Sequence, residues 1–229
     1  MRNSSRTWLD RENEAFAAGV APGSLVLDAG AGDQIYKKFF AHCTYEAADF
    51  EKVDKPYARS TYVCDLAAIP VEDARFDAIA FNQVMEHLPR PLDALTELNR
   101  VLKPGGTMIC TAPLQFEEHE QPYDFYRYTQ FGWRHLLGAA GFEIERLDWM
   151  EGLFGSIGYQ LETAAKNLPT QPGRIAPGLL GWVGLAAVLF AKLSFPPLAN
   201  LFYRIDERQR FTGRGNPKNY VVIARKPLA

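Results

Sequence analysis

The sequence predicts an α/β protein built on a doubly wound, mostly parallel sheet of seven strands, the last one antiparallel and preceded by a helical insertion. Three observations predict it. From Ser24 onward, short apolar runs alternate with amphipathic stretches, the pattern of βαβ units with helices on both faces of a sheet. One of these runs, Val26-Leu27-Asp28-Ala29-Gly30-Ala31-Gly32-Asp33, leads straight into an acid and two alternate glycines. Two further acids, Asp49 and Asp65, close the next two predicted strands.

Taken in order, the first segment reads as a short helix with Trp8, Leu9, Ala15 and Phe16 on one side. It carries Arg2, Arg6 and Arg11 without a continuous apolar run, so no secretory signal is expected. Strands are predicted over 25–28, 45–49, 61–64, 76–82, 106–111, 142–147 and 220–225. A short helix is expected over 35–40. Leu92, Leu95, Leu98, Val101 and Leu102 fall at helical spacing, and Lys103-Pro104-Gly105-Gly106 supplies the stop. A further helix is expected over 129–140, ended by Gly141.

Residues 150–219 exceed what a plain connection between the last two strands needs, so they are read as an insertion capping one end or edge of the sheet. Residues 178–191 are apolar without interruption before Lys192, and Phe195-Pro196-Pro197 is expected to break the helix. A bilayer span needs about 20 apolar residues, so a transmembrane helix is not expected. Two readings stay open: a helix buried against the domain, or one in a membrane interface or partner groove through 178–202. Arg204, Arg208, Arg210, Arg214 and Lys218 tilt toward an anionic surface, while Asp206 and Glu207 blunt that tilt.

With 229 residues, 47% hydrophobic and 23% charged, the chain suits one globular domain with an N-terminal helix (1–23) and the insertion. A net charge of −2 and no basic stripe argue against a nucleic-acid partner. Cys43, Cys64 and Cys110 are odd in number and widely spaced, which fits neither a disulfide framework nor a zinc knuckle. Reduced core thiols and a cytoplasmic location, with peripheral contact at the inner membrane face, are the expectation; no metal is expected, and the oligomeric state is left open.

Glycine lets the backbone turn tightly and approach a ligand, and the N-terminus of a helix at 35 would offer N–H groups to a carboxylate or phosphate. Asp49 can accept both hydroxyls of a ribose; Asp65 can accept from an adenine amino group while Leu66 covers the ring. Three acids at the carboxyl ends of successive strands point to a nucleoside-containing ligand. A nicotinamide fingerprint wants a third glycine where Ile35 stands, which disfavours a dinucleotide.

The run VLDAGAGD, the acid Asp49, FDAIAFNQVMEHL over 76–88 and ELNRVLKPGGTMICTAP over 97–113 resemble, in order, the motifs of class I S-adenosylmethionine (SAM)-dependent methyltransferases of the ubiquinone/menaquinone biosynthesis type. The resemblance spans about 24–147. It implies a Rossmann-like fold and SAM as cofactor, with Asp28 in the cofactor site, Gly30, Ala31 and Gly32 at the methionine end, Asp49 at the ribose, Asp65 and Leu66 at the adenine, and Asn82 and Gln83 flanking the methionine part. Gln34 stands where many members of that family have another glycine.

Methyl transfer from a sulfonium needs no covalent enzyme intermediate, so positioning does most of the work, and a hydroxyl nucleophile additionally needs a base. His119 and His87 are the candidates. The loop from His119 to Thr129 packs Tyr123, Asp124, Tyr126 and Arg127 between a strand end and a helix. Its aromatics can stack on a sugar and its arginine can grip a carboxylate or phosphate. The alternative is that Tyr123, Phe125 and Tyr128 pin the loop and Arg127 pairs with Asp124. With the apolar insertion, this loop also resembles, on fewer residues, methyltransferases of bacterial surface-glycan and lipid-linked sugar pathways. The expected function is methyl transfer to a small-molecule or sugar-hydroxyl acceptor, with a non-catalytic SAM-binding regulatory or partner subunit as the alternative.

Overall fold

A strand whose apolar run shows no alternation has to be covered on both faces, and β1 (Leu25–Ala29) meets that condition: Val26, Leu27 and Ala29 are fully buried. The computed structural model describes residues 4–53 and 57–228. Residues 1–3, which include Arg2 of the predicted first helix, lie outside them. The elements run α1 (Ser4–Ala18), β1, β2 (Thr44–Asp49), β3 (Tyr62–Val63), β4 (Phe76–Asn82), α2 (Pro91–Val101), β5 (Leu102–Pro113), α3 (Gln130–Ala139), β6 (Glu143–Trp149), α4 (Leu153–Asn167), α5 (Pro172–Ile175), α6 (Gly178–Arg208) and β7 (Asn219–Arg225). Among the described residues they form two compact units, 6–150 with 219–228 and 4–5 with 151–218.

In the larger unit the sheet order is β3-β2-β1-β4-β5-β7-β6. The first five strands are parallel, and β7 runs antiparallel to both of its neighbours. This is the predicted Rossmann-like sheet. Leu27, Ile79, Phe81 and Met108 join one core with Leu95, Leu98 and Trp133 of α2 and α3, while Val26, Ala78, Ala80 and Ile109 join another with Leu9 and Ala17 of α1. Burying each large side chain stabilises the fold by about 1.5 to 3 kcal/mol.

On α1 the buried face is Leu9, Asn13 and Ala17, and Ala15 of the predicted face is exposed. Asn13 is buried because it is paired: its Nδ2 donates to Asn82 Oδ1 at 3.1 Å and Asn82 Nδ2 donates back to Asn13 Oδ1 at 2.8 Å. Thr111 Oγ1 adds a third bond to Asn82 Oδ1. α2 ends at Val101, one residue before the predicted end, because Leu102 is extended (ψ 137°) and opens β5 directly. Thr129 caps α3 by accepting from Gly132 N–H, and Gly141 (φ +82°) ends the turn that follows.

Only a single 3₁₀ turn, Lys37–Phe40, follows the glycine loop where a helix over 35–40 was expected. The helix N-terminus proposed there as an anion site is therefore absent, and the loop itself must supply any donors.

The smaller unit is a pair of antiparallel helices with α5 beside them. Asp206 of α6 accepts from Gly152 N–H at 3.0 Å, and Tyr203 donates to Glu162 at 3.0 Å. A Cβ at Gly158 would stand 2.7 Å from the Tyr203 ring, which is why the helices close tightly there. Contrary to the sequence expectation, Pro196 and Pro197 do not break the helix: α6 runs through them for 31 residues. Two prolines remove two intrahelical N–H donors, but packing on α4 on both sides of them, from Lys192 to Tyr203, holds the helix together.

Asn13→Ala strips Asn82 of two bonds in a buried site. Urea denaturation is expected to show a loss of about 1 to 3 kcal/mol, and a variant as stable as the parent would contradict the role assigned to this pair.

Candidate active site

The sheet order reverses between β1 and β4, and ligands of open α/β sheets sit at the carboxyl ends of strands at such a switch point. The 30–34 loop occupies that position. Gly30 and Ala31 both direct their N–H groups to the Ala48 carbonyl, at 2.8 and 3.2 Å. Gly30 (φ +74°) is required: a Cβ there would stand 2.4 Å from Val84. Gly32 (φ +52°) has nothing within 4 Å of an added Cβ among the described residues. Its N–H donates to Asp49 Oδ2 at 2.8 Å.

Gln34 also adopts the left-handed conformation (φ +56°). The position thus retains a glycine-like backbone without the glycine, at a cost of about 1 kcal/mol. Its amide donates to the Arg59 carbonyl and accepts from Lys37, which anchors the side chain across the loop.

Asp28 is buried, accepts from Tyr45 Oη, and is pushed up to about 7, chiefly by desolvation. Asp49 is only 3% exposed; besides Gly32 it accepts from Glu51 N–H at 3.0 Å. Ala58 N–H donates to Gly32 carbonyl at 3.0 Å, laying the 57–61 segment beside the loop. Asp65 is exposed and accepts from Ala67 N–H, whereas Leu66 belongs to the main core. The side-chain amide of Asn82 is committed to Asn13 and Thr111, and that of Gln83 donates to Thr111 Oγ1 at 3.2 Å. Of these two residues Gln83 is the less buried, and its positive φ (+55°) turns the chain out of β4.

The two histidines meet. Their rings stand edge to face with centroids 4.7 Å apart. His87 Nδ1 lies 2.5 Å from the Tyr123 carbonyl, so it carries the proton in that bond and Nε2 is left as the acceptor. Burial holds the His87 imidazolium below its ordinary 6.5. His119 Nδ1 lies 3.1 Å from the Glu117 carbonyl and 3.3 Å from Asp124 Oδ2.

Glu86 is the residue that the sequence reading passed over. It is fully buried, neither carboxylate oxygen has a hydrogen-bond partner among the described residues, and Oε1 lies 3.8 Å from His87 Nε2. Desolvation pushes it up to about 8, so it is mostly the neutral acid at pH 7. The sole signal in the sequence is its place beside His87 just past a strand end.

Arg127 does not reach outward. It grips Asp124 with both terminal nitrogens, at 2.6 and 2.8 Å, and donates to the Tyr126, Phe116 and Glu117 carbonyls. That pairing holds Asp124 well below the usual carboxylate range. Tyr128 Oη donates to the Met85 carbonyl and Tyr123 packs on Phe50, so the pinning alternative describes these side chains. Phe125 and Tyr126, 44% and 42% exposed, are the loop's outward aromatics.

This geometry now meets its relatives. Residues 27–110 match the family described as methyltransferase domain. Curated relatives include the ubiquinone/menaquinone biosynthesis C-methyltransferases UbiE of Burkholderia mallei and Burkholderia thailandensis, each 27% identical over 55% of this chain. The match spans 59% of those relatives' own length. Solved structures share the fold: the complex of the Haloferax volcanii Trm112 methyltransferase activator with a putative methyltransferase (TM-score 0.61, 19% identity, 98% of this chain and 91% of that one) and the [4+2]-cyclase SpnF (0.60, 19%, 96% and 81%). Another is Burkholderia thailandensis 1,6-didemethyltoxoflavin-N1-methyltransferase with bound 1,6-didemethyltoxoflavin and S-adenosylhomocysteine (0.56, 17%, 96% and 81%). The matched stretch holds Gln34, Asp49, Glu86 and His87, while His119 and the loop to Thr129 lie beyond it.

Two tests follow. Gln34→Gly relieves the left-handed strain and should leave the melting temperature unchanged or raised, whereas Gln34→Val, β-branched at positive φ, should cost about 1 to 3 kcal/mol; equal stability of the two variants would contradict the strained turn. Glu86 has a folded pKa above its ordinary 4.5, so the folded state holds a proton that the unfolded state releases, and stability drains away as pH rises from 4.5 through about 8. In Glu86→Gln the melting temperature should fall less over that interval, and a parallel decline would contradict the assignment.

Proposed function

We propose that the protein is a SAM-dependent methyltransferase acting on a hydroxyl of a small-molecule or glycan acceptor. The observation that supports this most is the pairing of an open glycine with a carboxylate at the switch point: Gly32 N–H on Asp49 Oδ2, at the ends of β1 and β2. SAM, when bound, supplies a methyl group on a sulfonium. Gly30, Ala31 and Gly32 line its methionine end with backbone, Asp49 accepts from the ribose hydroxyls, and Asp65 with Leu66 takes the adenine side. A carboxylate oxygen accepts more than one bond, so a ribose either joins or replaces the two amide donors now on Asp49.

For the acceptor hydroxyl, His87 is the base the geometry favours. The Tyr123 carbonyl fixes its tautomer with Nε2 as acceptor, and burial keeps the ring neutral over more of the pH range. His119 stands against it and closes one side. Phe125 and Tyr126 offer exposed ring faces to a sugar or other flat acceptor.

A screen of acceptors, beginning with sugars and using methyl-labelled SAM, tests the activity; SAM binding with no transfer to any of them would favour the partner-subunit alternative. Asp49→Ala is expected to weaken SAM binding by about 1 to 3 kcal/mol, and unchanged affinity would move the ribose elsewhere. With an accepted substrate, kcat/KM should rise with pH along a limb centred below 6.5, and His87→Gln should lower the rate and erase that limb. A limb that survives the substitution would assign the base to another group.

A further inference from the structure

The 31-residue α6 is two-faced in a way its sequence conceals. Gly181, Ala199, Tyr203 and Asp206 are buried along one stripe. The opposite stripe, at helical spacing, is Leu179, Trp182, Val183, Phe190, Leu193 and Leu201, of which Leu179 and Leu193 are each 79% exposed. An 18-residue window of this helix has a mean hydropathy of 1.8 and is only 11% buried. Single exposed leucines are ordinary, but a continuous apolar stripe of this length on a soluble surface is not.

Lys192, the charge that interrupts the apolar run in the sequence, does not interrupt the stripe. Its Nζ donates to the Ala165 and Leu168 carbonyls, at 2.7 and 2.9 Å, at the C-terminal end of α4. Its charge is thus taken up by the helix end on the covered side. The outer stripe stays apolar until Arg204 and Arg208, which lie on the same side, are exposed, and line an open concavity with Asn200, Tyr203 and Glu207.

We infer that α6 lies in the plane of an anionic lipid bilayer, with its outer stripe sunk into the acyl boundary and Arg204 and Arg208 on the headgroups. Length alone would permit a span, but the covered side forbids it. α5 packs on the first turns of α6, where a Cβ at Gly181 would stand 2.3 Å from the Ala176 carbonyl and one at Gly184 would stand 2.5 Å from Ile175. A span would therefore carry the non-helical backbone on either side of α5, and exposed Arg174, into hydrocarbon. An in-plane helix keeps those groups in water, and a basic end beside an apolar face is the composition that binds anionic membrane surfaces. The inference stands independently of the methyl-transfer reading.

The test is flotation of the purified full-length protein with vesicles of phosphatidylcholine alone, or with about one-third phosphatidylglycerol. The protein should float with the anionic vesicles and less with the neutral ones. Trp182→Glu/Phe190→Glu/Leu193→Glu should lower the bound fraction about tenfold or more, and Phe190→Ser alone should lower it measurably, both with unchanged circular dichroism. Arg204→Glu/Arg208→Glu should erase the preference for anionic lipid. Failure to float with either vesicle would overturn the inference, as would unaltered binding of both apolar-face variants. A dimer in solution, dissociated by the same substitutions and indifferent to vesicles, would assign the stripe to a second copy of the chain instead.

Discussion

β1 is hydrogen-bonded along both edges and buried on both faces, and a strand held that way cannot slide by a residue without turning its apolar set against the wrong core. The register of β1 against β2 and β4 is what brings the glycine loop, Asp49 and the Asn82-Gln83 turn to one end of the sheet. Gly30 then has to be glycine because Val84, just past β4, closes on it. The reciprocal amide pair between Asn13 and Asn82 extends the same constraint to α1. The glycine-loop side of the candidate site is thus a consequence of sheet register, built largely from backbone.

The histidine side of the candidate site depends on burial of polar groups. The loop following β5 is pinned by backbone bonds to the 3₁₀ turn at Met85–His87: Phe125 and Tyr126 N–H groups both point to the Glu86 carbonyl. That turn carries a buried carboxyl without a partner and a histidine whose tautomer is fixed from the loop. An unpartnered buried acid costs free energy unless it is protonated or given a ligand. Perturbed groups of this kind gather at functional sites, and the cluster of Glu86, His87 and His119 is one place where the fold gives up stability.

Much of this was legible in the amino-acid order. The strands could be read because their apolar runs are short and bounded by turn residues, and α2 and α3 because their spacing and stop signals agree. The glycine loop and Asp49 could be read because backbone conformation and strand ends leave marks in a sequence. Three features could not. The 3₁₀ turn after the loop lacks a propensity signal separating it from a helix. The fate of Arg127 was open because a guanidinium pairs with whatever carboxylate the loop geometry supplies, and Asp124 is three residues away. The continuity of α6 was hidden because the effect of Pro196-Pro197 and of Lys192 depends on α4, which is remote in sequence.

The central claim is that the end of β1 takes a methionine-derived nucleoside, and calorimetric titration of the purified protein with SAM, its demethylated product and NADH in parallel addresses it directly. The account predicts binding of SAM or the product at about micromolar strength and none of NADH. Binding of NADH with neither methionine-derived ligand retained would contradict it.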